Sequence, residues 1–245
     1  MTLRFVQVNI KALDAPRLGR FWAEAVGWEF DDSSPGEINL EPAGFDYPNP
    51  SDLVIDLVPV EDPKTVKNRV HIDLTSRSPE HQAETVRRLK ALGATPVDIG
   101  QGDSSWVVLA DPEGNEFCVL APDAPYEGTG PIGAIAVDCR DPEAMVRFWD
   151  AATDWTVHEV NEDYARMRSS TGIGPYVDFF RVPEEKTVVN RVHLDLRPYA
   201  GGDREKEADR LCELGATRVN VGQEDVPWTV MADPEGNEFC ILTPK

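Results

Sequence analysis

The sequence lacks any run approaching the ~20 apolar residues that a helix needs to cross a bilayer. Its start, "MTLRFVQVNI", has no basic stretch leading into an apolar core and a small-residue cleavage site. A soluble, cytoplasmic protein is therefore expected. Basic residues are scarce, at 24 against 44 acidic ones, for a net charge of −20. Such a field repels phosphate backbones and anionic lipid, which excludes nucleic acid and membrane as expected partners. Cysteine is scarce too. The four cysteines (Cys118, Cys139, Cys212 and Cys240) show no CxxC spacing, so free buried thiols are expected rather than disulfides or a zinc finger. No Ser-His-Asp arrangement and no phosphate-cradling glycine loop is present. Against these absences, hydrophobic residues make up 41% of the chain, enough for a packed core.

What the chain does contain is a repetition. "ADPEGNEFC" occurs at 110–118 and again at 232–240. "NRVHIDL" at 68–74 answers "NRVHLDL" at 190–196, and "LGAT" at 92–95 answers "LGAT" at 214–217, each at a separation of 122 residues. Upstream, "RFWAEAVGW" at 20–28 answers "RFWDAATDW" at 147–155 at a separation of 127, so the first half holds five extra residues within 29–52. The pattern is a tandem duplication of about 120 residues. It is joined near the Pro- and Gly-rich "APDAPYEGTGP" at 121–131.

Each half divides again by periodicity. "RFVQVNI" alternates as a strand. The next segment, "DAPRLGRFWAEAVG", has Asp14 as a cap and one apolar helical face. "WEFDD", "EINLEP" and "DLVIDLVPV" read as three strands. The order then restarts with the strand "RVHIDLT" and a helix capped by Ser78 with Pro79 in its first turn. Three strands follow, "TPVDIG", "SWVVLAD" and "NEFCVLAP", the last two joined by the turn "DPEGN". The fold class is α+β, built of four βαβββ modules.

Alternation puts Arg69, His71 and Asp73 on one strand face, and Arg191, His193 and Asp195 on its repeat. Glu116 shares a face with Cys118, and Asp56 and Asp178 sit within apolar strands. A buried lone carboxylate requires a partner or a cation. Imidazole with carboxylates suits a divalent metal such as Zn, Ni, Mn or Fe. The same residues also suit plain bracing of the sheet by hydrogen bonds, and both readings stay open on the residues alone.

Tandem βαβββ modules, a "VHxDL" strand and a terminal "DPEGNEFC" strand resemble the vicinal oxygen chelate superfamily. Its members include glyoxalase I, bleomycin-resistance proteins, fosfomycin-resistance enzymes and extradiol dioxygenases. The resemblance implies two glyoxalase-like domains, 1–122 and 131–245, linked by 123–130, with cupped, antiparallel-rich sheets. It implies metal ligands on the first and last strands of each module. Those are Gln7, Asp56, His71 and Glu116 in the first half and Asp178, His193 and Glu238 in the second, where Ala134 replaces Gln7. The lack of a first-strand histidine speaks against an extradiol dioxygenase. The resemblance leaves open whether each cup forms within one half or by exchange of modules between halves.

Two functions follow as expectations. The first is a metal-dependent lyase or isomerase in which two substrate oxygens chelate the ion and Glu116 or Glu238 moves a proton. The second is a metal-free protein that sequesters a small oxygenated organic molecule. Trp106 and Trp228, at matching positions, are candidates to stack on a ligand. Arg69 and Arg191 are candidates to meet an anionic one. A monomer or a homodimer is expected.

Overall fold

The computed structural model describes residues 3–33, 36–49, 52–122, 124–223 and 225–245. Module 1 holds β1 (Leu3–Ala12), α1 (Ala15–Val26), β2 (Glu29–Asp31), β3 (Ile38–Glu41) and β4 (Val54–Pro59). Module 2 holds β5 (Val70–Leu74), α2 (Pro79–Ala91), β6 (Thr95–Pro96), β7 (Val107–Ala110) and β8 (Glu116–Val119). Module 3 holds β9 (Ile132–Cys139), α3 (Pro142–Ala152), β10 (Trp155–Val160), β11 (Tyr164–Ser169) and β12 (Tyr176–Arg181). Module 4 holds β13 (Val192–Pro198), α4 (Arg204–Glu213), β14 (Thr217–Arg218), β15 (Thr229–Ala232) and β16 (Glu238–Ile241). The α+β class and the four-module order expected from the sequence are both present.

The modules pair across the halves. One sheet runs β14-β15-β16-β13-β1-β4-β3-β2 and joins module 4 to module 1. The other runs β10-β11-β12-β9-β5-β8-β7-β6 and joins module 3 to module 2. The seams are antiparallel, β1 against β13 with Asn9 opposite His193, and β5 against β9 with His71 opposite Ala136. Of the two arrangements left open by the resemblance, the exchanged one is found. We call these the first sheet (modules 1 and 4) and the second sheet (modules 2 and 3).

Local chemistry starts each helix. Asp14 accepts a hydrogen bond from the Arg17 amide at 3.1 Å, and Ser78 accepts one from the His81 amide at 3.1 Å. Gly19, inside α1, has a packing reason, because a Cβ there would lie 2.9 Å from Ile38 and from Phe30. Its absence lets the helix settle on β2 and β3. The core is continuous through both halves, with Phe5 edge-on to Trp155 at 4.9 Å and Trp22 edge-on to Phe117 at 5.2 Å. Two strand readings change. The strand expected over "TPVDIG" is limited to Thr95–Pro96, because Oδ1 of Asp98 accepts the Gly100 amide at 2.8 Å and turns the chain away. Trp106 and Trp228 fall one residue ahead of β7 and β15 rather than within them.

The repeated nonapeptide ties the modules together. Oδ1 of Asp111 accepts the amides of Glu113 and Asn115 at 2.9 Å each, and Gly114 takes φ 86° to close the turn. Glu113 accepts the Leu13 and Asp14 amides at 2.8 and 2.7 Å, at the entrance to α1. It also pairs with Arg191 at 3.4 Å. The second copy repeats this design. Glu235 accepts the Arg140 and Asp141 amides at the entrance to α3, and its other neighbour is Arg69 at 3.8 Å. One short peptide thus connects a turn, a neighbouring helix entrance and an arginine from the other half. Replacing Glu113 by Ala removes three charge-assisted contacts, and we expect a loss of about 1.5–3 kcal/mol of stability. The Glu235→Ala variant should lose a similar amount. Urea unfolding midpoints at unchanged m-value are the check, and midpoints equal to the parent's would refute the role given to this turn.

Candidate functional site

The two sheets present related but different clusters on the faces where the sequence places polar residues. On the first sheet, β1 and β4 run in parallel and β13 lies on the other side of β1. Gln7 is therefore flanked by Asp56 and Asp195, and its amide nitrogen donates to Oδ2 of Asp56 at 2.6 Å and of Asp195 at 3.0 Å. Its carbonyl oxygen accepts from the Tyr47 hydroxyl at 2.7 Å. Tyr47 is held in turn by Arg197 at 3.0 Å, with the guanidinium over its ring. Burial, followed by the nearby Asp195 charge, pushes the Asp56 carboxyl well above its usual range. His193 sits on β13 beside Asp195, at 3.3 Å, and beside the Cys240 thiol, at 3.6 Å.

On the second sheet, Ala134 occupies the register position of Gln7 and brings no donor atom. Asp178 is fully buried and bound by Arg166 through Nη2 at 2.9 Å and Nε at 3.3 Å. The Tyr126 hydroxyl donates to the same carboxylate at 2.8 Å. The Arg166 guanidinium lies 4.7–5.0 Å from the ring centroids of Tyr126, Tyr164 and Tyr176. Burial raises the Asp178 carboxyl, and the Arg166 hydrogen bonds oppose that rise. Burial, then the Asp178 charge, raises the Tyr126 phenol. His71 and Asp73 lie together on β5, with Nε2 of His71 3.3 Å from Oδ1 of Asp73. Cys118 on β8 is directly opposite Asp73.

The two glutamates of the nonapeptide are engaged. Glu116 accepts from Lys64 Nζ at 2.7 Å and from the Asn68 amide at 3.1 Å. Glu238 accepts from Lys186 Nζ at 2.6 Å and from the Asn190 amide at 3.0 Å. Arg69 and Arg191 are also occupied. Arg69 donates to the Asp138 and Glu184 carbonyls at 2.8 Å each, and Arg191 reaches the Asp62 carbonyl and Glu113.

A cavity of about 1610 Å³ opens over the second sheet. Its lining includes His71, Asp73, Cys118, Tyr126, Arg166 and Trp106, the last 42% exposed. The segment carrying Lys186 and Arg191 also lines it. Trp228, His193 and Asp178 are not part of the lining.

The sequence of the chain matches the profile of the glyoxalase-like domain at residues 7–120 and again at 134–242. The chain belongs to this family. It is a tandem member of the vicinal oxygen chelate superfamily. No curated protein sequence matches this glyoxalase-like chain. Among solved structures it is similar to glyoxalase I from Zea mays, with 14% identity, 99% of this chain and 92% of that one covered, and a TM-score of 0.67. It is also similar to a provisionally assigned dioxygenase from Bacillus subtilis, with 14% identity, 99% and 85% covered, and a TM-score of 0.64. At such identities the likeness concerns the fold. No helix among the described residues is long and apolar enough to cross a membrane.

Sequence reasoning missed Tyr47, Tyr126 and Arg166. Tyr126 comes from the segment read as a linker, and nothing local marks it as a partner of Asp178, 52 residues away. Arg166 alternates with Tyr164 and Arg168 on one face of β11, a pattern visible in "YARMRS". Replacing Arg166 by Met leaves Asp178 buried with only the tyrosine, and we expect a loss of about 3–5 kcal/mol. Replacing both, as Arg166→Met with Asp178→Leu, should recover most of it. The test is a double-mutant cycle by urea unfolding, and additive losses would contradict the coupling.

Proposed function

We propose that this glyoxalase-like chain binds a small organic molecule in the cavity over its second sheet, with no metal ion at the seven residues that the superfamily resemblance assigns as ligands. The cavity is the observation that supports this reading most directly. It is of ligand size or larger, concave, and lined by Trp106 and Tyr126 with Arg166, a cation fixed among aromatic rings. Aromatic faces and an immobile guanidinium together favour a flat, partly apolar ligand with an acidic or oxygen-rich edge.

The assigned metal positions do not fit an ion. Over the second sheet, Ala134 supplies no donor, Asp178 is spent on Arg166, and Glu116 is neutralised by Lys64. Over the first sheet, Gln7 already satisfies three partners and Glu238 is paired with Lys186. A dication at either place would have to displace an ammonium 2.6–2.7 Å from the carboxylate. No proton transfer through Glu116 or Glu238 is derived from this arrangement.

The dye 1-anilinonaphthalene-8-sulfonate, aromatic and anionic, is a suitable probe. Its fluorescence should saturate at about one dye per chain, and Trp106→Ala should weaken binding about tenfold, about 1.4 kcal/mol. Trp228→Ala should leave it unchanged. Absence of saturable binding, or an unaltered affinity in Trp106→Ala, would overturn the reading. Stoichiometric metal that disappears in Glu116→Gln would instead place a metal ion at Glu116 and overturn the metal-free reading.

A further inference from the structure

Lys11 and Asp138 stand at matched places in the two halves with opposite charges, and only the aspartate has its partner. Lys11 on β1 lies opposite Val58 of β4, as Asp138 on β9 lies opposite Phe180 of β12. The backbones agree as well. The Lys11 amide donates to the Arg191 carbonyl at 2.9 Å, and the Asp138 amide to the Arg69 carbonyl at 2.7 Å. On the second sheet, Asp138 is ion-paired with Lys67. In the other half, the residue that repeats Lys67 is Val189, which is apolar and exposed. Lys11 thus has a valine at the place where its counterpart has an ion partner.

No other group takes up the charge. Among the described residues, the Lys11 ammonium has neither an ion-pair partner nor a side-chain hydrogen bond. Of the seven lysines of the chain, Lys64, Lys67, Lys186 and Lys206 are ion-paired, and Lys90 and Lys245 are exposed. Lys11 alone is half-buried and unpaired. It also lines the cavity, and among the described residues it is the single strand residue of the first sheet to do so. Burial pushes its ammonium below the usual lysine range; Glu238 and Cys240 oppose this, and the positive charges of Arg191 and Lys186 assist it. A desolvated lysine without a counter-ion is the form in which an amine attacks a carbonyl carbon.

We propose that Lys11 holds an aromatic aldehyde or ketone in the cavity as a reversible imine. This rests on the reading of the cavity as a site for a flat organic molecule, and it names the group through which that molecule is bound. Trp106 and Tyr126 line the same cavity, so the carbonyl compound that fits it is an aromatic one. The ammonium first gives a proton to solvent. The electron pair of Nζ then forms a bond to the carbonyl carbon, the π pair of the carbonyl moves to its oxygen, and a proton passes from nitrogen to that oxygen. The hydroxyl and the remaining N–H proton leave as water while the carbon–nitrogen double bond forms. Amine and carbonyl thus give imine and one water, with nothing oxidised or reduced.

The cavity supplies its own control. Lys64, Lys67 and Lys186 also line it, but Glu116, Asp138 and Glu238 hold their ammonium groups in the charged form. An amine that is paired with a carboxylate has no free electron pair to offer a carbonyl carbon. Position in the cavity and freedom from a counter-ion therefore coincide at Lys11.

The test uses the full chain with 6-methoxy-2-naphthaldehyde and sodium cyanoborohydride, which reduces an imine to a stable secondary amine. Intact masses and peptide mass maps read the sites of the adduct. The first adduct should fall on Lys11, with Lys67, Lys90 and Lys245 labelled about tenfold more slowly. Lys11→Met should remove that fast adduct and leave the slow ones. Lys11→Arg should do the same while keeping the positive charge. Far-ultraviolet circular dichroism confirms folding of each variant, and if Lys11→Met does not fold, Lys11→Arg decides. The proposal is overturned if Lys11 is labelled no faster than the exposed Lys90, or if the fast adduct survives in Lys11→Arg. Dye binding without a fast adduct overturns the imine alone. A fast adduct without dye binding supports the imine and overturns only the acidic edge given to the ligand above.

Discussion

Everything in this molecule depends on the two antiparallel seams, β1 with β13 and β5 with β9. Every described residue of β9 is buried and β1 is buried along almost its whole length. A strand buried on both faces cannot remain a sheet edge, because its amides and carbonyls would lose water without gaining partners. Within one half, β1 pairs only with β4, and β5 only with β8, so the opposite edge of each must be covered from elsewhere. The other half covers them. Duplication thus supplies in one chain the partner surface that a single pair of modules would need from a second molecule.

The exchange also explains why the nonapeptide is repeated so faithfully. The polar residues around its turn each have a long-range commitment: Asp111 to Trp22, Glu113 to α1 and Arg191, Asn115 to Asn68, and Glu116 to Lys64. Arg69 and Arg191 cross between halves in opposite directions and meet the glutamate of the other half's turn. A change in one copy would disturb a helix entrance and an interhalf contact together.

Much of this was legible because it is local. The duplication, the module order, the caps at Asp14 and Ser78 and the turn at 111–115 each follow from a few neighbouring residues. The pairing of modules was not legible, since strands with the same alternation satisfy either arrangement. The fate of the acids was not legible for the same reason. Glu116 lies 52 residues from Lys64, and Asp178 lies 52 residues from Tyr126. Alternation tells which face an acid occupies, but only strand register decides which neighbour it meets there. His71 and Asp73 were readable as one face, and Glu116 and Cys118 as another. That Asp73 meets Cys118 is a fact of the β5–β8 register.

Register also suggests how the two cups came to differ while keeping one fold. Gln7 against Ala134 and Lys11 against Asp138 are changes at matched positions of β1 and β9. Neither alters the pleat, so the first changes the hydrogen-bonding capacity of a cup and the second its charge without cost to the backbone. Over the first sheet, Gln7 bridges two acids and Tyr47 covers it. Over the second, the loss of the glutamine leaves Asp178 to Arg166, and the space above stays open as the cavity. The lysines that neutralise Glu116 and Glu238 act identically in both halves, so they do not distinguish the cups. The distinction comes from the middle of the seam strands, where Gln7 bridges Asp56 and Asp195 over the first sheet and Ala134 leaves Asp178 to Arg166 and Tyr126 over the second.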